Sequence, residues 1–218
     1  MNLNVIGLNH KTAPLELREK FVFQTDLLTE ALIEIKKTFS TEVVILSTCN
    51  RTEIYFTSNK VSRIIKWLAN YHQISTANLK KHLYHFNNLN AVSHAYAVAS
   101  GIDSMILGET QILGQIKQAS KLAEYAGTQG KILSNLFQKT FETAKKVRTK
   151  THIGASSTTI ASCIFRLAKK IFGNIDNTNI LFVGAGEMNE LCAKYFSDQS
   201  PQKIAIANRS IEKAKKLA

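Results

Sequence analysis

Residues 3–8 alternate, Leu3 and Val5 against Asn4 and Ile6, with the two-residue period of an extended strand. The polar run Asn9-His10-Lys11-Thr12-Ala13-Pro14 then reads as a connection, with a short helix after it. Thr25 is placed to cap a second helix, in which Leu28, Leu32 and Ile35 recur at spacings of four and three. Val43-Val44-Ile45-Leu46 reads as a buried strand and Glu53-Ile54-Tyr55-Phe56 as another, separated by the polar Ser47-Thr48-Cys49-Asn50-Arg51. Helices follow near 60–70 and 88–100, the latter closed by Gly101. From Glu109 to Ala126 the positions Ile112, Ile116, Ala119 and Ala123 keep helical spacing, and Ile132, Leu136, Phe137, Phe141, Ala144 and Val147 continue it. Residues 1–153 therefore read as an α+β domain.

Gly154-Ala155-Ser156-Ser157 breaks that pattern, and Ile160, Ile164, Leu167 and Ile171 mark a linker helix across 154–173 that ends at Gly173. Residues 174–218 change style again. A strand (Ile180 to Val183), a glycine turn, a helix, a second strand (Ile204 to Ala207) and a further helix make the β-α-β of an open parallel sheet, an α/β Rossmann-type unit. Such a sheet needs more strands than these, so the chain is expected to be a fragment with a truncated second domain.

Composition narrows the class. Among 218 residues 44% are hydrophobic and 20% charged, so a core can be buried and disorder is excluded. No apolar run reaches the ~18 residues of a membrane span, and the N-terminus lacks a secretory signal, so a cytoplasmic protein without membrane contact is expected. The three cysteines have no close pairing, which supports neither a disulfide scaffold nor a metal site. The net charge is +12. Residues 111–175 hold 11 basic and 2 acidic side chains and account for most of it. A polyanion such as RNA suits that stretch, and so does an ordinary solvated basic face.

Candidate chemistry gathers in a few places. Cys49, with Arg51 as a nearby cation, is the best nucleophile, whereas Cys163 and Cys192 lie in apolar helical stretches and read as packing. His94 projects away from the stripe Leu89, Val92, Tyr96 and Ala99, and is either exposed or turned toward a second surface where an imidazole shuttles protons. His82 and His85 are three apart, could share a helix face, and read as structural. Gly108-Glu109-Thr110-Gln111 opens a helix with Gln115 one turn further on. That offers either two amides and a carboxylate to a polar, ammonium-bearing substrate, or mere capping by Glu109. Gly184-Ala185-Gly186-Glu187-Met188-Asn189 follows a strand and opens a helix, the place of a dinucleotide fingerprint, although Asn189 stands where the third glycine belongs. No acid ends the second strand. Arg209 in Asn208-Arg209-Ser210 suits a 2′-phosphate, which favours NADP over NAD.

Four segments together resemble the glutamyl-tRNA reductase family. They are Gly7 to Pro14 with Arg18-Glu19, Leu46 to Tyr55 around Thr48-Cys49-Asn50-Arg51, Gly101 to Gln115, and Val183 to Met188. The resemblance covers the whole chain and implies a catalytic domain followed by an NADPH domain, with a homodimer when full length and a hand-over of product to glutamate-1-semialdehyde aminomutase. It makes Cys49 the nucleophile, places Thr48, Asn50, Arg51, Ser104, Glu109, Thr110, Gln111 and Gln115 around the glutamate, and matches His94 to a histidine important for activity. It also assigns Gly184, Ala185, Gly186, Glu187, Met188 and Asn189 to the cofactor turn, with Asn189 a family trait.

The implied reaction is NADPH-dependent reduction of glutamyl-tRNA to glutamate-1-semialdehyde, the first step of five-carbon tetrapyrrole (porphyrin) biosynthesis, through a Cys49 thioester. Arg51 is expected to pair with the substrate's side-chain carboxylate, Glu109 with its α-ammonium, and His94 to assist proton transfer. Two rivals differ in class: a thiol-dependent esterase that keeps Cys49 but releases glutamate, and a non-enzymatic RNA-binding module.

Overall fold

The computed structural model describes residues 2–154 and 160–218. They form two compact units, the first running through Gly154 and the second starting at Ile160.

The first unit runs β1 (Leu3–Asn9), α1 (Leu15–Lys20), α2 (Thr25–Phe39), β2 (Val43–Ser47), β3 (Arg51–Thr57), α3 (Val61–Tyr71), α4 (Thr76–His82), β4 (Tyr84–Asn87), α5 (Asn88–Ala99), α6 (Gln111–Tyr125) and α7 (Lys131–Lys150), then a 3-10 turn at His152–Gly154. Its sheet has the order β2-β3-β1-β4, every neighbour antiparallel. The alternation that marks β1 does not give it a wet face: Leu3, Val5, Ile6 and Leu8 are all fully buried, because helices cover both sides of this central strand. Register then decides what meets what. Gly7 pairs with Glu53 on β3 and with Tyr84 on β4, so Glu53, Tyr84, Arg51 and Tyr55 share the face that α5 and α7 cover. Gly7 must be glycine. A Cβ there would lie 2.7 Å from the Thr52 carbonyl oxygen, 2.9 Å from Glu53 Cγ and 3.0 Å from the Tyr84 hydroxyl.

Several expectations change. Thr25 is the first residue of α2 rather than its cap, the cap being Gln24 without a side-chain hydrogen bond. Residues 76–87 hold α4 and β4, so His82 ends a helix, His85 lies on a strand, and the two share no helix face. On α5 the buried residues are Ala91, Ala95, Val98 and Ala99, while Leu89 is 81% exposed; the true stripe is set by small alanines, which lets α5 approach the sheet and turns His94 toward it. At the start of α7, Leu133 is buried in place of Ile132.

The second unit holds α8 (Ile160–Phe172), β5 (Asn179–Val183), α9 (Glu187–Ser197), β6 (Lys203–Ala207) and α10 (Ile211–Leu217). Strands β5 and β6 pair in parallel from Asn179↔Lys203 to Val183↔Ala207, a β-α-β unit with its own core of Ala161, Ile175, Phe182, Cys192 and Phe196. The expected stripe of α8 is reversed: Ile164, Leu167 and Ile171 are exposed, and Ala161, Phe165 and Ala168 face the core. Most of the break read at Gly154 to Ser157 lies outside the described residues. Among the described residues no helix is long and apolar enough to cross a membrane.

Candidate active site

The turn between β2 and β3 carries Cys49 into solvent. Thr48 shapes it: its amide donates to the Arg51 carbonyl (2.8 Å), and its hydroxyl accepts from the amides of Arg51 (3.1 Å) and Asn50 (3.3 Å). Two further elements pin the same turn. The His10 amide after β1 donates to the Asn50 carbonyl at 3.1 Å, and Arg18 Nη1 from α1 donates to the Cys49 carbonyl at 2.9 Å and to Asn50 Oδ1 at 3.3 Å. The cysteine therefore combines a fixed backbone with an exposed side chain. The cation that touches its turn is Arg18. The Arg51 guanidinium, only 3% exposed, points inward instead.

What it meets there is Glu53, two residues along β3 on the same face. Glu53 Oε1 accepts from Arg51 Nη1 (2.5 Å), the Tyr84 hydroxyl (2.6 Å) and His94 Nε2 (2.8 Å), and Oε2 accepts from the Tyr55 hydroxyl (2.6 Å). A carboxylate with no solvent exposure is tolerable only when paired this fully. Burial alone would raise its pKa, but the hydrogen bond from His94 and the charge of Arg51 outweigh burial and hold it far below the usual carboxylate range. Burial and the Glu53 charge push Tyr55 and Tyr84 well up, so both phenols stay donors. Burial also works against the charge of Arg51, yet Glu53 and Asp103 more than compensate and raise its pKa. An ionised carboxylate can only accept, so His94 Nε2 carries a proton, and this imidazole can exchange protons with a substrate only through Nδ1. Its ring lies against Phe86 and Tyr84, at 4.8 and 5.2 Å between centroids.

Arg51 has a second partner. Its Nη2 donates to the Asp103 backbone carbonyl, with Asp103 Oδ2 at 3.5 Å, while Lys11 Nζ reaches Asp103 Oδ1 at 2.5 Å. Asp103 belongs to a segment closed on itself by the Gly108 amide donating to the Gly101 carbonyl at 2.8 Å, both glycines having φ near +80°. Beyond it Thr110 takes the N-cap of α6 without a side-chain bond, Gln111 begins the helix, and Arg148 Nη2 of α7 donates to the Glu109 carbonyl. Glu109 is thus not the cap. The Ser104 hydroxyl and His10 Nδ1 are buried without a partner, and burial followed by the charges of Arg51 and Lys11 lowers the pKa of His10.

The structure therefore brings Cys49, Thr48, Asn50 and Arg51 onto one hairpin, links Arg51 to the Ser104 segment through Asp103, and links it to His94 through Glu53. Gln111 follows as the first residue of α6, with Gln115 one turn further on. Sequence reasoning missed Glu53, Asp103, Arg18, His10 and Tyr84. Of these only Tyr84 lies outside the segments that carry the resemblance, and Glu53 left a further signal as an acid inside a strand two residues after an arginine. Of the other cysteines, Cys192 is buried as expected, and burial raises its thiol pKa. Cys163 is half-buried and accepts a contact from Arg166 Nη2 at 3.4 Å. Among the described residues no cluster of His, Cys, Asp or Glu is arranged to hold a metal.

In the second unit the turn after β5 fits a dinucleotide pyrophosphate. Gly184 has φ +103°, and its amide donates to the Ala207 carbonyl at 2.7 Å. Gly186 is the N-cap of α9, and a Cβ there would meet nothing within the chain, which leaves room for a bound group to approach the helix start. Asn189 closes the turn from the third-glycine position: Nδ2 donates to the carbonyls of Val183 and Gly184, both at 2.9 Å. Ala185, Glu187 and Met188 complete the turn and the first residues of α9, and Arg209 is exposed just past β6.

Comparison with known proteins bears on the family and the fold. The family model for the glutamyl-tRNAGlu reductase N-terminal domain matches residues 6–151, and that for shikimate / quinate 5-dehydrogenase matches 166–218. The glutamyl-tRNA reductase of Nitrosomonas europaea is 48% identical over 219 residues, covering all of this chain and 53% of the relative. That of Neisseria meningitidis serogroup C is 48% identical over 218, covering 52% of the relative. Glutamyl-tRNA reductase from Methanopyrus kandleri superposes over the whole chain with a TM-score of 0.68 at 31% identity, covering 52% of that structure. The chain spans about half the length of the curated relatives it matches. With a cysteine-bearing hairpin on an α+β domain, a dehydrogenase-like second unit and a family match across two thirds of its residues, the chain belongs to the glutamyl-tRNA reductase family.

Proposed function

We propose that the protein reduces glutamyl-tRNA(Glu) to glutamate-1-semialdehyde with NADPH, through a thioester on Cys49, as the first step of five-carbon tetrapyrrole biosynthesis. The observation that carries this reading is the exposed Cys49 on a turn anchored by Thr48, His10 and Arg18. The sulfur attacks the aminoacyl carbonyl carbon, a carbon–sulfur bond forms, the ester carbon–oxygen bond breaks, and the thiol proton ends on the 3′-terminal ribose oxygen as tRNA leaves. Splitting the reaction this way replaces the direct reduction of an ester by an acyl transfer followed by reduction of a thioester. When bound, a reduced nicotinamide supplies the hydride for that acyl carbon, and the electron pair of the carbon–sulfur bond returns to Cys49 as the aldehyde departs.

The surrounding residues take matching roles. Thr48, Asn50, Ser104, Thr110, Gln111 and Gln115 line the glutamate pocket, and Glu109 meets the α-ammonium. Arg51, buried between Glu53 and Asp103, backs the pocket with the positive charge that attracts the substrate carboxylate. His94 moves a proton through Nδ1. Gly184 to Asn189 hold the pyrophosphate, and exposed Arg209 favours a 2′-phosphate and hence NADP. The basic side chains of α6 and α7, among them Lys117, Lys121, Lys145 and Lys146, suit the RNA backbone. A catalytic domain 1–153, a linker segment 154–173 that includes α8, a nicotinamide domain from 174, a cytoplasmic homodimer and transfer of the aldehyde to an aminomutase complete the proposal. Incubation with glutamyl-tRNA and NADPH tests it: aldehyde equimolar with NADPH consumed supports the reading, and free glutamate without NADPH oxidation contradicts it.

A further inference from the structure

We propose that Asp103 is a positioning residue that straps the Gly101–Gly108 segment against the catalytic hairpin, so that Ser104 stands where Cys49 can use it. This rests on the functional reading above and deepens it. Three observations converge on the segment. It is a closed loop, joined at its neck by the Gly108 amide and the Gly101 carbonyl at 2.8 Å, with φ of +77° and +80° at the two glycines, so it moves as a unit. Its contacts with the sheet come through Asp103: Arg51 Nη2 holds the backbone carbonyl and faces Oδ2 at 3.5 Å, and Lys11, just after β1, holds Oδ1 at 2.5 Å. Its far end is fixed separately by Arg148 of α7 on the Glu109 carbonyl.

Asp103 is thus the link from the loop to β3, at Arg51, and to the connection after β1, at Lys11. Arg51 cannot swing away to release it, because Glu53 holds Nη1 from the buried side. Lys11 supplies the adjustable part, since its side chain is 58% exposed while that of Asp103 is 20% exposed. The strap also carries Ser104, whose hydroxyl is buried without a partner. Loosening the strap moves that hydroxyl relative to the sulfur, and leaves the sulfur and the α6 start, which Arg148 holds, in place. Substrate affinity should therefore fall while the chemistry of a saturated site persists.

The experiment measures acylation of Cys49 by radiolabelled glutamyl-tRNA against its concentration, alongside amide hydrogen exchange across residues 101–108. Asp103→Asn keeps the size and removes the charge. The expected result is a half-saturating concentration raised about fivefold, a saturating acylation rate within about twofold of the parent, and faster exchange across the loop. Lys11→Met should reproduce this pattern, Lys11→Arg should restore the parental value, and Lys11→Met should add little on top of Asp103→Asn because both cut one link. Glu34→Ala, which breaks only the exposed bond that Trp67 of α3 donates to Glu34 of α2, is the distant control. An unchanged half-saturation in Asp103→Asn overturns the proposal, as does a Lys11→Arg variant no better than Lys11→Met. If the parent itself shows no acylation, the functional reading falls. The strap is then decided by exchange alone, with faster exchange in Asp103→Asn sustaining it and identical exchange removing it.

Discussion

His94 and Glu53, 41 positions apart in the sequence, meet inside the first unit with Nε2 of the imidazole 2.8 Å from Oε1 of the carboxylate. The ion is fully buried, so its partners fix its charge and it fixes theirs. Replacing Glu53 by Gln leaves the Arg51 guanidinium buried without its counter-ion and presents an amide to donors that need an acceptor. The expected loss is about 3 kcal/mol of folding stability, read by chemical denaturation. A loss below about 1 kcal/mol would mean that the network relaxes easily and does not hold the hairpin face.

Gly7 makes the same network possible. Alanine usually improves a strand, yet here its methyl would collide with the Thr52 carbonyl, Glu53 and Tyr84. Gly7→Ala should destabilise the protein by about 2 kcal/mol and shift the near-ultraviolet signal of the tyrosines. A neutral or stabilising substitution would refute the packing described.

His72 gives the stability a pH dependence. Burial lowers its pKa from 6.5 to about 4, and its ring sits among Phe21, Phe23 and Tyr71 with Nε2 lacking a partner. As pH falls, the unfolded chain takes up this proton first, so the contribution is whole above about pH 6.5 and is lost between there and about pH 4. Its size is on the order of 3 kcal/mol. Denaturation midpoints across that window should fall less steeply in His72→Phe than in the parent. Equal slopes would assign the pH dependence to other groups.

Gly186 separates cofactor binding from folding. A methyl there meets nothing in the chain but stands at the start of α9, where a pyrophosphate would approach. In the full-length context Gly186→Ala should keep the parental melting temperature and weaken NADPH binding about tenfold, followed by nicotinamide fluorescence. Unaltered affinity would move the cofactor off this turn.

The sequence showed some of this directly. The strands β1, β2 and β3 are readable from their apolar pattern, and Cys49 from the polar interruption between β2 and β3. The glycine turn with its flanking β-α-β is equally visible. α4 and β4 escaped because a seven-residue helix and a four-residue strand follow one another with no glycine or proline between them. The orientation of α5 escaped because Ala91 and Ala95, not Leu89, set its buried side. Small residues that allow close approach look weak in a hydrophobic pattern. The Glu53 network was invisible for a different reason: its donors come from β3, β4 and α5, and only register brings them together. Most of the break around Gly154 and Ser157 lies outside the described residues.

Trapping the acyl group is the most direct test of the central claim. After brief mixing with radiolabelled glutamyl-tRNA in the absence of NADPH and quenching in acid, the label should stay with the polypeptide, map to the peptide containing Cys49, and be released by hydroxylamine, with none bound in Cys49→Ser. Label equally retained by Cys49→Ser, or located on another residue, would contradict the account.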